Sequence, residues 1–269
     1  MAREVLFTKM SGTGNDFIVV DNRKGAVSAG PSAAKKWCDR KHSIGGDGLL
    51  LLEKSKKADF RMRILNSDGS EAEMCGNGIR CIAKFAEAKK IAGKKHRIET
   101  LAGIIDADVK GDVVKARMIE PRDLKLGISI DLGGQAMPLN FVNTGVPHTV
   151  TIVEELEKID VPATGRAIRT HRHFAPRGTN ANFIKFDGPN SIRIRTYERG
   201  VEDETLACGT GSTAGALVAA AVKNLKSPVS VTTEGGGKLK IYFKRDGDRF
   251  HDVYLEGSIQ KCFEGSVTL

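Results

Sequence analysis

Two short stretches of the chain alternate between apolar and basic side chains, and each precedes a helical pattern. Residues 60–64 read Phe-Arg-Met-Arg-Ile and residues 192–195 read Ile-Arg-Ile-Arg, a period of two that is typical of half-buried strands. Residues 79–91 place Ile and Phe on one helical face and Lys and Glu on the other. Residues 212–222 carry no charge, which predicts a helix buried on all sides, although one too short to span a membrane comfortably.

The two strand-and-helix patterns belong to a longer internal repeat. Each strand is followed by an acidic loop and then by a Cys-Gly-x-Gly motif, at Cys75 and at Cys208, which opens the helix. A hairpin pattern follows each helix, and the strand-like segment that begins at Asn15 is echoed at Asn180. We therefore expect an α/β (α+β) protein with two pseudo-symmetric halves, each with strands wrapped around a central helix.

A boundary between the halves is expected at residues 120–123, Glu-Pro-Arg-Asp, where the first hairpin pattern ends. The last strand pattern, around residues 259–263, lies beyond the second hairpin and is expected to return to the first half. The predicted N-terminal domain is thus 1–119 together with 257–269, and the predicted C-terminal domain is 120–256.

The composition argues against a disordered, secreted or nucleic-acid-binding chain. Charged residues are 28% of 269 and mixed in sign, which disfavours disorder. The five cysteines form no dense framework, as in a reducing cytosol, and no signal peptide is visible, so we expect a cytoplasmic protein without a membrane partner. The net charge of +9 is spread along the chain and aromatic residues are only 6%, which indicates a solvated basic surface that modestly favours anionic substrates.

The paired cysteines suggest a specific chemistry. A thiol at a helix N-terminus meets backbone N–H groups and the positive end of the helix dipole, which favour the thiolate. Two such thiols facing one cavity can remove a proton from one side of a carbon and return it from the other, which inverts a stereocentre. A substrate carboxylate would be held by the N–H groups at the two helix starts: Gly76, Asn77, Gly209, Thr210 and Ser212.

Several Gly-, Asn- and Cys-containing motifs are distributed along the chain, at residues 9–17, 45–48, 66–70, 74–80, 145–148, 177–180 and 197–212. These motifs resemble those of diaminopimelate epimerases, which interconvert LL- and meso-diaminopimelate, and the resemblance runs nearly end to end. It implies a cofactor-free epimerase of a small diamino dicarboxylate, with the active site in a cleft between the two domains, and usually a homodimer.

The resemblance also implies roles for individual residues. Cys75 and Cys208 match the catalytic thiols, while His148 and Glu198 match residues beside them that tune thiol protonation. Other matched positions bind the substrate, and Arg199 suits the distal carboxylate because of its planar fork. The expected substrate-binding residues are Asn15, Asn66, Gly76, Asn77, Asn180, Glu198, Arg199, Gly209, Thr210 and Ser212.

Two positions depart from a common version of the family pattern. Val146 stands where some members carry Asn, and Gly48 stands where some carry Gln. Both departures concern recognition of the distal end of the substrate. A racemase of proline, hydroxyproline or histidine on the same fold therefore stays open as an alternative, although proline and hydroxyproline racemases typically have His in place of Asn77.

Two unrelated kinds of site fit the sequence poorly. The spacing between Cys75 and Cys81 is wrong for a zinc module and the six histidines are scattered, so no metal is expected. Residues 209–215 faintly resemble a dinucleotide-binding loop, but the acidic residues 202–204 lie just before it and would repel phosphates. Isomerases of the phenazine type share the fold but lack the two catalytic cysteines, so this class of enzyme also fits the sequence poorly.

Overall fold

The computed structural model describes residues 4–268 and divides into two compact units. Unit 1 runs to Arg117 and resumes at Gly257, whereas unit 2 is continuous from Met118 to Glu256. Within residues 4–268, no helix is both long and apolar enough to cross a membrane.

Unit 1 contains two helices and eight strands before the chain enters unit 2. The helices are α1, Gly30–Trp37, and α2, Gly76–Ala88. The strands are β1 Glu4–Gly12, β2 Asn15–Asp21, β3 Gly48–Glu53, β4 Phe60–Asn66, β5 Glu71–Ala72, β6 Lys95–Thr100, β7 Gly103–Lys110 and β8 Val113–Arg117.

Unit 2 has the same kind of content, and a last strand follows it. Its helices are α3, Val161–Thr170, and α4, Gly209–Lys223, and short 3-10 turns occur at Leu156–Lys158 and Arg172–Phe174. The strands are β9 Arg122–Asp131, β10 Ala136–Asn143, β11 Pro147–Ile152, β12 Asn180–Phe186, β13 Ser191–Glu198, β14 Asp203–Thr205, β15 Val229–Thr233, β16 Lys238–Asp246, β17 Arg249–Ser258 and, back in unit 1, β18 Gln260–Thr268.

The strands of unit 1 form one mixed arrangement. β1 lies between β18 and β2 and is antiparallel to both. β2 runs parallel to β3, and β3 runs antiparallel to β4. β4 pairs with the short β5 and runs parallel to β6. The antiparallel strands β6, β7 and β8 complete the set. Through its pairing with β1, the last strand β18 belongs to unit 1.

Unit 2 repeats this topology strand by strand. β10 is antiparallel to β9 and β11, β11 is parallel to β12, and β12 is antiparallel to β13. β13 then pairs with β14 and runs parallel to β15, which is antiparallel to β16. β1 to β7 therefore correspond to β10 to β16, which confirms that the chain contains an internal repeat.

One detail of the predicted repeat is wrong. Asn15 opens β2 and Asn180 opens β12, but β2 corresponds to β11 and β12 corresponds to β3. The echo between the two asparagine segments is thus offset by one strand. The local similarity reflects two strands that both enter a core, not two strands in equivalent places.

Each unit wraps its strands around one central helix, as the hydrophobic patterns predict. Six strands contact α2 (β1–β4, β7 and β8), and its apolar face enters a core with Phe17, Leu50 and Phe60. Strands on every side contact α4 (β9–β13, β15 and β16), and most of its residues are buried. At Gly215 three isoleucine side chains of β12 and β13 would lie within 3.2 Å of any Cβ, so the strands approach α4 closely because this residue is glycine.

Candidate active site

Cys75 and Cys208 are the N-cap residues of α2 and α4. Both have extended backbone angles, with φ of −143° and −125°. The Cys75 Sγ accepts a hydrogen bond from the Gly78 N–H at 3.5 Å, and the Cys208 Sγ accepts one from the Gly211 N–H at 3.4 Å. Each sulfur thus takes the place of the oxygen of an ordinary N-cap residue, where partial positive charge stabilises an anion.

The helix starts determine which backbone donors remain for a substrate. Gly76 and Asn77 are the first two residues of α2, and Gly209 and Thr210 the first two of α4; N–H groups at these positions have no acceptor within a helix. The Ser212 N–H instead donates to the Cys208 carbonyl at 2.8 Å. The expectation that the Ser212 N–H binds substrate is therefore wrong, because that group makes the first bond of the helix.

In unit 1 a chain of side-chain amides joins the helix start to an ion-pair cluster. Asn77 donates to the Asn15 Oδ1 at 2.7 Å, and Asn15 donates to the Asp47 Oδ2 at 2.9 Å. Arg40 bridges the carboxylates of Asp47 and Asp16 at 2.7 and 2.6 Å. The structure thus connects two predicted binding residues, Asn15 and Asn77, and fixes the orientation of both amides.

The ion-pair cluster keeps the carboxylate of Asp16 charged. Lys9 is buried and lies 2.8 Å from Asp16. Burial acts to raise the pKa of Asp16, but hydrogen bonds and charge from Arg40 and Lys9 outweigh it and lower the pKa to about 2. The cluster is therefore a rigid ionic support beneath Asn15 throughout the neutral range.

Asn66 and Gly48 face each other across β3 and β4. Asn66 is exposed and donates to the Ser70 Oγ at 2.9 Å, and no bond links it to the Asn15–Asn77 chain within the described residues. A Cβ at position 48 would lie 2.8 Å from the Leu65 carbonyl oxygen. Glycine is thus required here by the approach of a neighbouring strand, which accounts for Gly48 in this chain.

His148 is completely buried in unit 2 and is neutral. Its Nδ1 lies 3.1 Å from the Asn182 side-chain nitrogen, which also donates to the Thr149 carbonyl at 2.7 Å. Burial, and then the charge of Arg199, lowers the pKa of His148 to about 3. An imidazole that accepts at Nδ1 carries its hydrogen on Nε2, and this nitrogen has no partner within residues 4–268.

Asn182 connects His148 to the helix that carries Cys208. Its Oδ1 accepts from Thr196 at 3.0 Å and would lie only 2.4 Å from a Cβ at Gly211. Asn182 is a functional candidate that the sequence interpretation did not assign. The sequence feature that could have identified Asn182 is its place in Asn-Ala-Asn-Phe, two residues after Asn180 in the same strand.

Asn180, Arg199 and Glu198 lie at one end of β12 and β13. Asn180 donates to the Pro147 carbonyl at 2.9 Å and accepts from the Arg199 N–H at 2.8 Å. The Arg199 Nη1 donates to the Arg177 carbonyl at 3.1 Å, and Glu198 accepts from Thr205 at 3.2 Å. Asn180 therefore positions the backbone of Arg199, whose side chain, among residues 4–268, contacts a loop carbonyl and not a carboxylate.

The other three cysteines lie in different surroundings. Cys38 and Cys81 are buried, and burial raises the pKa of the two thiols to about 11 and about 12. Cys262 is exposed on β18. No group of three or more His, Cys, Asp or Glu side chains within residues 4–268 is arranged to hold a metal ion.

Comparison with known proteins places this chain in a family. The sequence profile described as "Diaminopimelate epimerase" matches residues 7–122 and 140–262. The chain is 44% identical to the diaminopimelate epimerase of Aquifex aeolicus (strain VF5), over 97% of both chains. It is 42% identical to that of Chlorobaculum tepidum, over 97% of this chain and 100% of the relative.

Solved structures show the same fold at low sequence identity. A phenazine biosynthesis protein of the PhzF family from Bacillus anthracis matches with a TM-score of 0.78 and 17% identity, over 99% of this chain and 100% of that one. A hydroxyproline epimerase from Agrobacterium vitis matches with a TM-score of 0.69 and 16% identity, over 99% and 93%. These likenesses establish the α/β fold, and the sequence matches establish that the chain belongs to the diaminopimelate epimerase family.

Proposed function

We propose that the protein interconverts LL- and meso-diaminopimelate by two-base catalysis without a cofactor. The observation that carries the proposal is the pair of N-cap thiols, Cys75 and Cys208, each accepting a backbone N–H in a chain of this family. One sulfur acts as thiolate base and the other as thiol acid, and the roles exchange in the reverse direction. The reaction requires one thiol on each face of the α-carbon.

The backbone donors serve the charge that develops as the α-proton leaves. The substrate carboxylate gains negative character at that moment, and preorganised N–H groups stabilise it. In this proposal the donors are Gly76 and Asn77 of α2 with Gly209 and Thr210 of α4. The Asn77 side chain is held by Asn15, so the N–H of Asn77 keeps a fixed direction during the reaction.

His148 and Glu198 are proposed to support acid–base chemistry from unit 2. His148 is neutral because of its burial, and it is tied to the helix of Cys208 through Asn182 and Gly211. A neutral imidazole adds no positive charge that would hold Cys208 permanently as a thiolate. That suits a sulfur that donates a proton as a thiol.

Arg199 is proposed to bind the distal carboxylate of the substrate, and Asn66 and Asn180 are proposed to bind the same substrate. The guanidinium has only the Arg177 carbonyl as a partner within the described residues, so several N–H donors are available for a two-point contact. Asn180 fixes the Arg199 backbone at 2.8 Å. Selectivity for a substrate with two carboxylates would follow from this contact.

The direct test is incubation with LL-diaminopimelate in deuterated water, without added cofactor, followed by chiral analysis. Meso product with deuterium at the α-carbon is expected, while proline, hydroxyproline and histidine run in parallel stay unchanged. Cys75→Ala and Cys208→Ala should each lower turnover by about 10²–10⁴-fold in a folded protein. Near-normal turnover in either variant would rule out the two-base mechanism for this chain.

We also propose that the protein is a cytoplasmic homodimer. Two reactive thiols function in a reducing compartment, and cell fractionation tests the location. Leu6 and Phe263, on the neighbouring strands β1 and β18, are 74% and 48% exposed, and such apolar side chains suit a subunit contact. Light scattering coupled to size exclusion should give twice the mass of the chain, and the mass of one chain would exclude the dimer.

A further inference from the structure

Arg80 is a completely buried cation in the second turn of α2. Its Nε donates to the Gly76 carbonyl at 3.3 Å and its Nη1 to the Thr13 Oγ1 at 3.1 Å, while its Nη2 donates to the Asn77 Oδ1. All three acceptors are uncharged, and no carboxylate between residues 4 and 268 lies within ion-pair distance of the guanidinium. Arg23, Arg40 and Arg63 of unit 1 differ, since each of them pairs with a carboxylate.

A buried charge without a counter-ion destabilises a fold, so the groups around the Arg80 guanidinium indicate its function. Within the described residues, the ionisable groups that act on Arg80 are the thiols of Cys81 and Cys75. Cys81 is fully buried, its neighbours include Cys262, and burial raises its pKa to about 12, which keeps it neutral. Cys75 is half-buried at the N-cap one turn before Arg80, and it can lose its proton to water.

Four other charged groups near this helix start balance one another. The acidic groups that reach Asn77 through Asn15 pair with their own cations. Burial lowers the pKa of Arg80 to about 10, so the guanidinium stays charged at neutral pH. The balanced groups are Lys9, Asp16, Arg40 and Asp47.

The matched position of α4 holds no cation. Thr213 stands five residues after Cys208, as Arg80 does after Cys75, and its hydroxyl donates to the Gly209 carbonyl at 2.9 Å. Thr213 thus bonds the same carbonyl of its helix that Arg80 bonds in α2, but without a charge. The charged residues that directly precede Cys208 along the chain are the acidic Glu202, Asp203 and Glu204, and the buried His148 of unit 2 is neutral.

We propose that Arg80 is a positioning residue whose fixed charge stabilises the thiolate of Cys75, so that Cys75 is the base in the resting enzyme. The thiol proton passes to bulk water and the sulfur retains the negative charge opposite the guanidinium. The hydrogen bonds to Gly76 and Asn77 hold the first turn of α2 in place at the same time. The assignment rests on the proposed function and adds to it which sulfur is charged before substrate binds.

The test is alkylation of the intact protein by iodoacetamide across pH, with peptide mass spectrometry reporting each cysteine separately. In the wild type, Cys75 should have a pH midpoint about one unit or more below the 8.5 of an unperturbed thiol. Arg80→Gln keeps amide donors but removes the charge, and it should raise the Cys75 midpoint by about one unit, a roughly tenfold slower reaction at neutral pH. The Cys208 midpoint should stay unchanged.

Two further variants separate charge from structure. Arg80→Lys keeps the charge with fewer hydrogen bonds and should restore the Cys75 midpoint to within about 0.3 units of the wild type. Thr213→Val, the matched change in α4, should leave the Cys75 midpoint unaltered. Equal midpoint shifts in the Gln and Lys variants, or none in either, would overturn the proposal.

The alkylation experiment needs no substrate, so its outcome is independent of epimerase activity. A low Cys75 midpoint that depends on Arg80, in a protein that does not epimerise diaminopimelate, would leave this inference standing and defeat the proposed function. An active enzyme whose Cys75 midpoint lies near 8.5 or above would defeat this inference and leave the proposed function standing. If Arg80→Gln fails to fold, the wild-type midpoint and the Lys variant decide the question.

Discussion

Replacing His148 with glutamine should remove a specific acid sensitivity of the fold. Glutamine can accept from Asn182 as the imidazole Nδ1 does, but it cannot be protonated. In the folded protein burial holds the pKa of His148 at about 3, whereas the ordinary value is 6.5. Because the folded-state pKa is depressed, the unfolded chain binds the proton first as pH falls, and stability is lost from pH 6.5 downward.

The size of the effect follows from the two pKa values. Above pH 6.5 the histidine is neutral in both the folded and the unfolded state, so it contributes no pH dependence to the unfolding free energy. Each pH unit below 6.5 costs about 1.4 kcal/mol until the folded-state pKa is reached. At about pH 4.5 the wild type should therefore have lost about 3 kcal/mol of unfolding free energy through this one residue.

The assay is urea unfolding followed by circular dichroism at about pH 7 and about pH 4.5. The quantity of interest is the loss of unfolding free energy between the two pH values, compared between wild type and His148→Gln. The variant should lose about 3 kcal/mol less than the wild type, whatever its stability at neutral pH. His42→Gln, at an exposed imidazole, serves as the matched control. Equal losses in wild type and His148→Gln would refute the assignment of a buried neutral imidazole.

Three other substitutions test the site and its packing. Arg199→Lys keeps the charge but loses the fork, so kcat/KM should fall more for diaminopimelate than for lysine; an equal fall with a lowered Tm would make Arg199 a scaffold residue. Gly211→Ala places a Cβ 2.4 Å from the Asn182 Oδ1 and should cost about 1–3 kcal/mol in chemical unfolding, whereas Gly93→Ala, where the space is open, should not destabilise. Cys262→Ser, at an exposed position, should leave turnover unchanged, and a large loss would show that a third thiol takes part.

The features predictable from the sequence are those written in local pattern. An acidic loop, a Cys-Gly-x-Gly motif and a helical period occur together, so the N-cap positions of Cys75 and Cys208 follow from neighbouring residues alone. The absence of charge over residues 212–222 likewise predicts the enclosure of α4. The offset echo of Asn15 and Asn180 was not predictable, because strand partners are chosen by contacts between distant segments.

The burial of Arg80 is not predictable from the hydrophobic pattern of α2. It lies four residues before Lys84 and seven before Glu87, so helical periodicity assigns it to the polar face of α2. In the structure the start of that face is covered by the segment around Thr13, which accepts a bond from Arg80. Burial of a helix end by a distant loop has no signature in the period of the helix itself.

Because β1 pairs with β18, the two units can complete their folding at different times during synthesis. β1 is synthesised long before its partner strand β18, which runs from Gln260 to Thr268. At a synthesis rate of about 5–20 residues per second, one side of β1 stays unpaired for tens of seconds after it emerges. Unit 2 is contiguous and can close meanwhile. The exposed edge, which includes Leu6, is open to pairing with other chains during that interval, so nascent chains of this protein should depend on chaperones chiefly through their N-terminal segment.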